Sequence, residues 1–137
     1  MRVLALLLTL ACGAAFADQT PSPPGAEVYF IAPKDGERVT SPVKVVFGLK
    51  GMGVAPAGIK FDNTGHHHLL VDTDLPADLT QPQPATDNIR HFGKGQTETM
   101  LDLPPGKHTL QLLFADATHT AFTPNVVSKK ITITVTK

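Results

Sequence analysis

The chain has a single cysteine in 137 residues, Cys12, and it falls inside an N-terminal stretch that reads as a leader. One thiol closes no intramolecular disulfide, so stability must come from an ordinary hydrophobic core, which a chain of this size can bury. Once the leader is gone, thiolate ligands and a cysteine nucleophile are excluded as well. A surplus of one charge is also missing. There are 12 Lys+Arg and 12 Asp+Glu, and 11 basic residues remain once Arg2 is removed. Without a basic patch, nucleic acid and anionic membrane surfaces are poor partners. No apolar run reaches the roughly 20 residues that span a bilayer. No window sustains a helical period, and 12 prolines argue against long helices. No serine sits in a nucleophile elbow, and GKG at 93–95 lacks the flanks of a phosphate loop. The expectation is a protein that is not an enzyme.

The leader itself is MRVLALLLTLACGAAFA. Arg2 is the positive start, residues 3–11 are the apolar centre, and Ala15-Phe16-Ala17 is a small-x-small site with the cut before Asp18. Residues 1–17 are therefore expected to be a signal peptide, and the mature chain to be periplasmic or secreted. A lipoprotein cut before Cys12 is the alternative; Thr9 and the very short apolar region weigh against it.

Residues 18–26, DQTPSPPGA, read as a flexible lead-in. One domain is expected over 27–136. Val28 and Phe30 alternate with Glu27 and Tyr29. Val43, Val45, Phe47 and Leu49 recur at period two, as do Ile131, Ile133 and Val135 against Lys130, Thr132, Thr134 and Thr136. His108, Leu110, Leu112 and Phe114 share one side of 107–115. A fair strand covers 96–103. These short strands, split by Pro, Asp and Gly turns, predict an all-β fold. The expected architecture is an immunoglobulin-like antiparallel β-sandwich of about seven strands. Three connections are long, 50–65, 73–95 and 116–128, and loops of that length are usually functional or disordered.

The segments YFIAPKDGERVTSPVKVVFGLKGMGVAPAG, TGHHHLLVDTDLP, HFGKGQTETMLDLPPGKHTLQLLFAD and PNVVSKKITITV together resemble an uncharacterised bacterial family of exported proteins, domain-of-unknown-function family 4399. The resemblance covers roughly 27–136. It implies a fold and an exported location, and no activity. In that family the loop after LLFAD often holds two histidines three apart. Here His119 matches the first, and Phe122 stands where the second would be.

Three of the six histidines stand together in GHHHLLVD, 65–72. In a strand, residues i and i+2 face the same way, about 6.6 Å apart along the axis. His66 and His68 therefore point together, while His67 points with Leu69 and Val71 toward the core. His67 is expected at the core rim, hydrogen-bonded by backbone or a polar neighbour. If 66–72 and 107–115 pair antiparallel, as strands C and F do in such folds, the start of the first lies beside the end of the second. His66 and His68 then approach His119, with Asp116 as ligand or supporting partner, and His91 can reach the same end from 73–95. His108 falls at the opposite end, near Asp72 and Asp74; a slip of one strand would exchange His108 with His119.

Imidazole suits transition metals, copper or zinc here, rather than hard cations. Met52 and Met100 offer thioether sulfur, which favours copper weakly. The expected function is an exported binding module that sequesters or carries a transition metal through His66, His68, His119 and His91. The alternative is a structural or protein-interaction module, partnered by an unknown exported protein, whose histidines only order the loops. An acid–base use of Asp72 and Asp74 ranks below both.

Overall fold

A computed structural model describes residues 18–137. The expected leader, with Cys12, lies outside the described residues. Ten strands follow in order: β1 (Glu27–Ala32), β2 (Arg38–Thr40), β3 (Val43–Lys50), β4 (Gly53–Val54), β5 (Thr64–Val71), β6 (Ile89–His91), β7 (Glu98–Leu101), β8 (Gly106–Ala115), β9 (Ala121–Val127) and β10 (Ile131–Thr136). There is no helix among the described residues, and so none long and apolar enough to cross a membrane. The fold is all-β.

Two sheets form. One has the order β1-β3-β7, and the other β2-β10-β8-β5-β4, with β6 added to β5 and β9 to β8. The triplets β1-β3-β7 and β10-β8-β5 are compatible with the A-B-E and G-F-C sheets of an immunoglobulin-like sandwich. Period-two patterning decides what lies between them. Val28, Val43, Val45 and Phe47 from the smaller sheet meet Leu69, Val71, Leu110, Leu112, Phe114, Ile131, Ile133 and Val135 from the larger.

The count exceeds the expected seven because short strands hide inside the long connections. β4 lies in 50–65, β6 in 73–95, and β9 in 116–128. β9, AFTPNVV, carries Pro124, which has no N–H for a ladder. It is tolerated because Pro124 lies in the irregular stretch where the pairing with β8 jumps from Val126 to Ala121, so no ladder donor is missed there. The lead-in also departs from expectation. Rather than running free, it is tied to β9 through a parallel bridge between Pro21 and Thr123.

The larger sheet is covered on its outer face too. Leu70, Leu113, Ile89 and Ala121 form a second, smaller core there, capped by Leu75 and Leu79 from the 73–88 segment. β5 is thus buried on both faces for nearly its whole length, and that outer face is the one His66 and His68 share with Leu70.

At the far end of β5, Asp72 holds the connection to β8. Its Oδ1 accepts from the Thr109 N–H at 2.9 Å, and its Oδ2 lies 2.7 Å from His108 Nδ1. His108 Nε2 lies 2.8 Å from the Pro104 carbonyl. With acceptors at both nitrogens, the doubly protonated ring fits best. Burial opposes that charge, but the hydrogen bonds to Asp72 and Pro104 and the Asp72 carboxylate outweigh it, and the His108 pKa is raised above 6.5. A raised folded-state pKa stabilises the fold fully below about pH 6.5 and loses that effect as pH rises through the folded value. Urea unfolding of metal-free protein should therefore show up to about 1 kcal/mol more destabilisation by Asp72→Asn at pH 6 than at pH 9, the size of a partly screened pair.

Candidate metal centre

β5 and β8 pair antiparallel with His66 opposite Ala115, His67 opposite Phe114 and His68 opposite Leu113. The start of β5 therefore meets the end of β8. On the other side of β5, β6 sets His91 directly across from His68. Directly opposed residues bring their Cβ atoms within about 5.5 Å, so His91 reaches the rings of β5 without a long excursion. Ala115 and Ala121 close the β8–β9 hairpin, and the turn between them carries His119.

That turn is built by Asp116. Its Oδ1 accepts from the backbone N–H of Thr118 at 2.9 Å, the Thr118 hydroxyl at 2.8 Å and the N–H of Thr120 at 3.1 Å. Its Oδ2 accepts from the Thr20 hydroxyl at 2.7 Å. Burial alone would raise the Asp116 pKa, but these donors from Thr20, Thr118 and Thr120 hold it below the usual carboxylate range. The carboxylate acts as a turn former, bonded through both of its oxygens. His119 sits in the left-handed region at φ 68°, where a non-glycine residue is strained by about 1–3 kcal/mol. Its N–H donates to the Asp116 carbonyl at 3.0 Å, and its carbonyl accepts from the Gln83 N–H at 2.8 Å.

The result is four imidazoles around one point. His66, His68, His91 and His119 each offer a ring nitrogen, and these atoms all lie within 4.8 Å of one another. Ring centroids are 4.8 Å apart for His66 and His68, 4.9 Å for His66 and His91, and 4.7 Å for His91 and His119. His66 Nε2 and His119 Nδ1 are 3.0 Å apart. A tetrahedral ion with bonds of about 2.0–2.1 Å sets its ligand atoms about 3.4 Å from each other. A pair 4.8 Å apart closes by roughly 1.4 Å to reach that spacing, a shift within reach of side-chain rotation.

Depth divides the four. His66 and His68 are buried and form a floor, whereas His119 is half-buried and His91 exposed at the rim. Burial pushes the His66 pKa down to about 4, helped by His91 and His119. Burial, then His66 and His91, pushes His68 down to about 3. Burial and His119 also lower His91. At neutral pH these rings are uncharged, the form that donates a lone pair to a metal. Among the described residues, His66 Nδ1 and both nitrogens of His68 have no hydrogen-bond partner. Each buried polar atom left so costs about 1–3 kcal/mol, and coordination is one way to satisfy it.

His67 departs from expectation. It is not a hydrogen-bonded rim residue. Its ring is fully buried between Phe47 and Phe114, at centroid distances of 5.0 and 4.9 Å, with no partner for either nitrogen among the described residues. Met52 packs against the inter-sheet core and Met100 is 55% exposed on β7, so neither supports a thioether ligand. Phe122 stacks on Phe114 in that same core. His108 stays at the opposite end with Asp72, as the antiparallel pairing requires.

One residue of the site was not foreseen. A Cβ on Gly93 would fall 2.1 Å from Cε1 of His91. Glycine at 93 thus leaves the space that the His91 ring fills, and no pattern in the sequence marks it. Gly93→Ala should turn the exposed ring away at little cost to folding. Calorimetry with Cu(II) should show about a 10-fold weaker affinity, the scale of losing a group that orients a ligand.

The X-ray structure of an endo-beta-1,4-mannanase from Thermotoga petrophila is similar over 82% of this chain and 20% of its own, at 21% identity and a TM-score of 0.47. This chain thus spans about a fifth of that enzyme's length. No curated protein matches. The family described as Domain of unknown function (DUF4399) matches residues 45–136, a span that holds all four converging histidines, and the chain belongs to that family.

Proposed function

We propose that this protein is an exported binding module, periplasmic or secreted, that takes a transition metal ion, copper or zinc, and sequesters or carries it. The observation that carries this reading is the convergence of His66, His68, His91 and His119 from three separate chain segments. An all-imidazole set without carboxylate or thiolate suits copper, zinc or nickel and not magnesium or calcium. Affinity in that series peaks at Cu(II), and four imidazoles are also a donor set that tetrahedral zinc accepts, so both ions belong in the test. The leader-like residues 1–17 support export. A buried floor and an exposed rim favour a site that fills and empties from one side. Protein purified without a tag should take up one Cu(II) or Zn(II) per chain by elemental analysis. A failure of both ions to bind at micromolar concentration would refute the proposal.

The second reading is a structural or protein-interaction module. It draws on the 3.0 Å approach of His66 Nε2 to His119 Nδ1, a hydrogen bond that by itself ties the 116–120 turn to β5. On that reading metal has no effect, and loss of either ring loosens the turn.

A further inference from the structure

We infer that residues 19–22 form a strap that positions His119, so that the N-terminal segment is a working part of the metal centre; this rests on the metal-binding reading above. The strap follows β9. The Thr123 N–H donates to the Thr20 carbonyl at 3.0 Å, and the Ser22 N–H donates to the Thr123 carbonyl at 3.0 Å. The Ser22 hydroxyl reaches the Pro124 carbonyl at 2.7 Å. Gln19 Nε2 bridges two elements, donating to the Ala121 carbonyl at 2.9 Å and the Leu79 carbonyl at 3.2 Å. Leu79 belongs to the segment that covers the outer face, and Gln83 of that segment holds the His119 carbonyl.

Thr20 makes the decisive contact. Its hydroxyl is the donor to Asp116 Oδ2, while Asp116 Oδ1 gathers Thr118 and Thr120 on either side of His119. The carboxylate therefore has one oxygen on the strap and one on the turn. A turn that keeps His119 at positive φ needs such over-determination, because the backbone there is strained. Thr20 acts through Asp116 and never touches the ion, so it is a positioning residue. The strap is exposed at Thr20 and Pro21 and lies outside the named strands of both sheets, so it can open locally without unfolding the sandwich.

The test titrates Cu(II) into wild type, Thr20→Val, Thr20→Ser and His119→Ala. Thr20→Val should weaken binding by about 10-fold, and Thr20→Ser, which keeps the hydroxyl, should restore it. The visible spectrum of the Thr20→Val complex should move toward that of His119→Ala, a change that a mere loss of stability does not produce. Coupling is reciprocal, so Cu(II) should also slow amide exchange at Ser22 and Thr123 in the wild type. Equal affinity and an unchanged spectrum in Thr20→Val, with wild type binding normally, would overturn the strap while leaving the metal site intact. No uptake by wild type would overturn both.

Discussion

Replacing His66 and His68 together by alanine is expected to abolish metal uptake while the sandwich stays folded. The two rings are the buried floor of the site, and the rim rings His91 and His119 alone supply fewer ligands than the three a protein site normally needs. The affinity loss should exceed about 100-fold, the most that removal of a supporting contact costs. Thermal shift offers a simple check. An ion present at 100 times its Kd adds about 2.7 kcal/mol to the wild type, or roughly 10 °C in Tm. The double variant should show no shift at the same concentration. Its metal-free stability should change little, because two effects oppose each other. Removing the rings leaves cavities, and it also removes three buried nitrogens that lack partners. A purely structural role predicts the reverse pattern: no shift in the wild type, and a marked loss of stability in the double variant.

The frame of this site was legible in the sequence because strands have a strict period. Alternation in 43–49, 107–115 and 131–135 places the inter-sheet core correctly, and the antiparallel pairing of β5 with β8 is the one that strands C and F make in an immunoglobulin-like order. That pairing alone sends His66 and His68 toward Asp116 and His119 and sends His108 toward Asp72. The missed features are those that local pattern does not encode. β6 is only three residues long, and its Ile89 is buried by the 73–88 cover rather than by the main core. β9 is masked by Pro124, which sits where its pairing with β8 is interrupted. The strap reads as part of a flexible lead-in rich in Pro and Ser, since its order comes from bonds to β9 and Asp116, residues about a hundred positions away. His67 was misjudged for a related reason. Polar type suggested a hydrogen-bonded rim, whereas burial follows from its position in the alternation.

His67→Leu should stabilise the protein by about 1–3 kcal/mol, raising Tm by roughly 4–12 °C. The ring faces the inter-sheet core, packed between Phe47 and Phe114. Both of its nitrogens are buried without a partner among the described residues. Burial holds its pKa down to about 4, so the core accepts only the neutral ring. Leucine has a similar volume and no polar atom to desolvate, and its neighbours Leu69 and Leu112 show that the layer takes aliphatic side chains. Because the side chain lies on the opposite face of β5 from His66 and His68, Cu(II) or Zn(II) uptake should be unchanged. The comparison therefore separates the two faces of one strand. On the outer face, loss of histidine should remove binding; on the inner face, one residue away, it should strengthen the fold and leave binding alone. Chemical denaturation and metal titration on the same preparation provide both readings. A destabilised His67→Leu variant would mean that the inner ring makes a polar contact that the packing of Phe47 and Phe114 around it does not suggest.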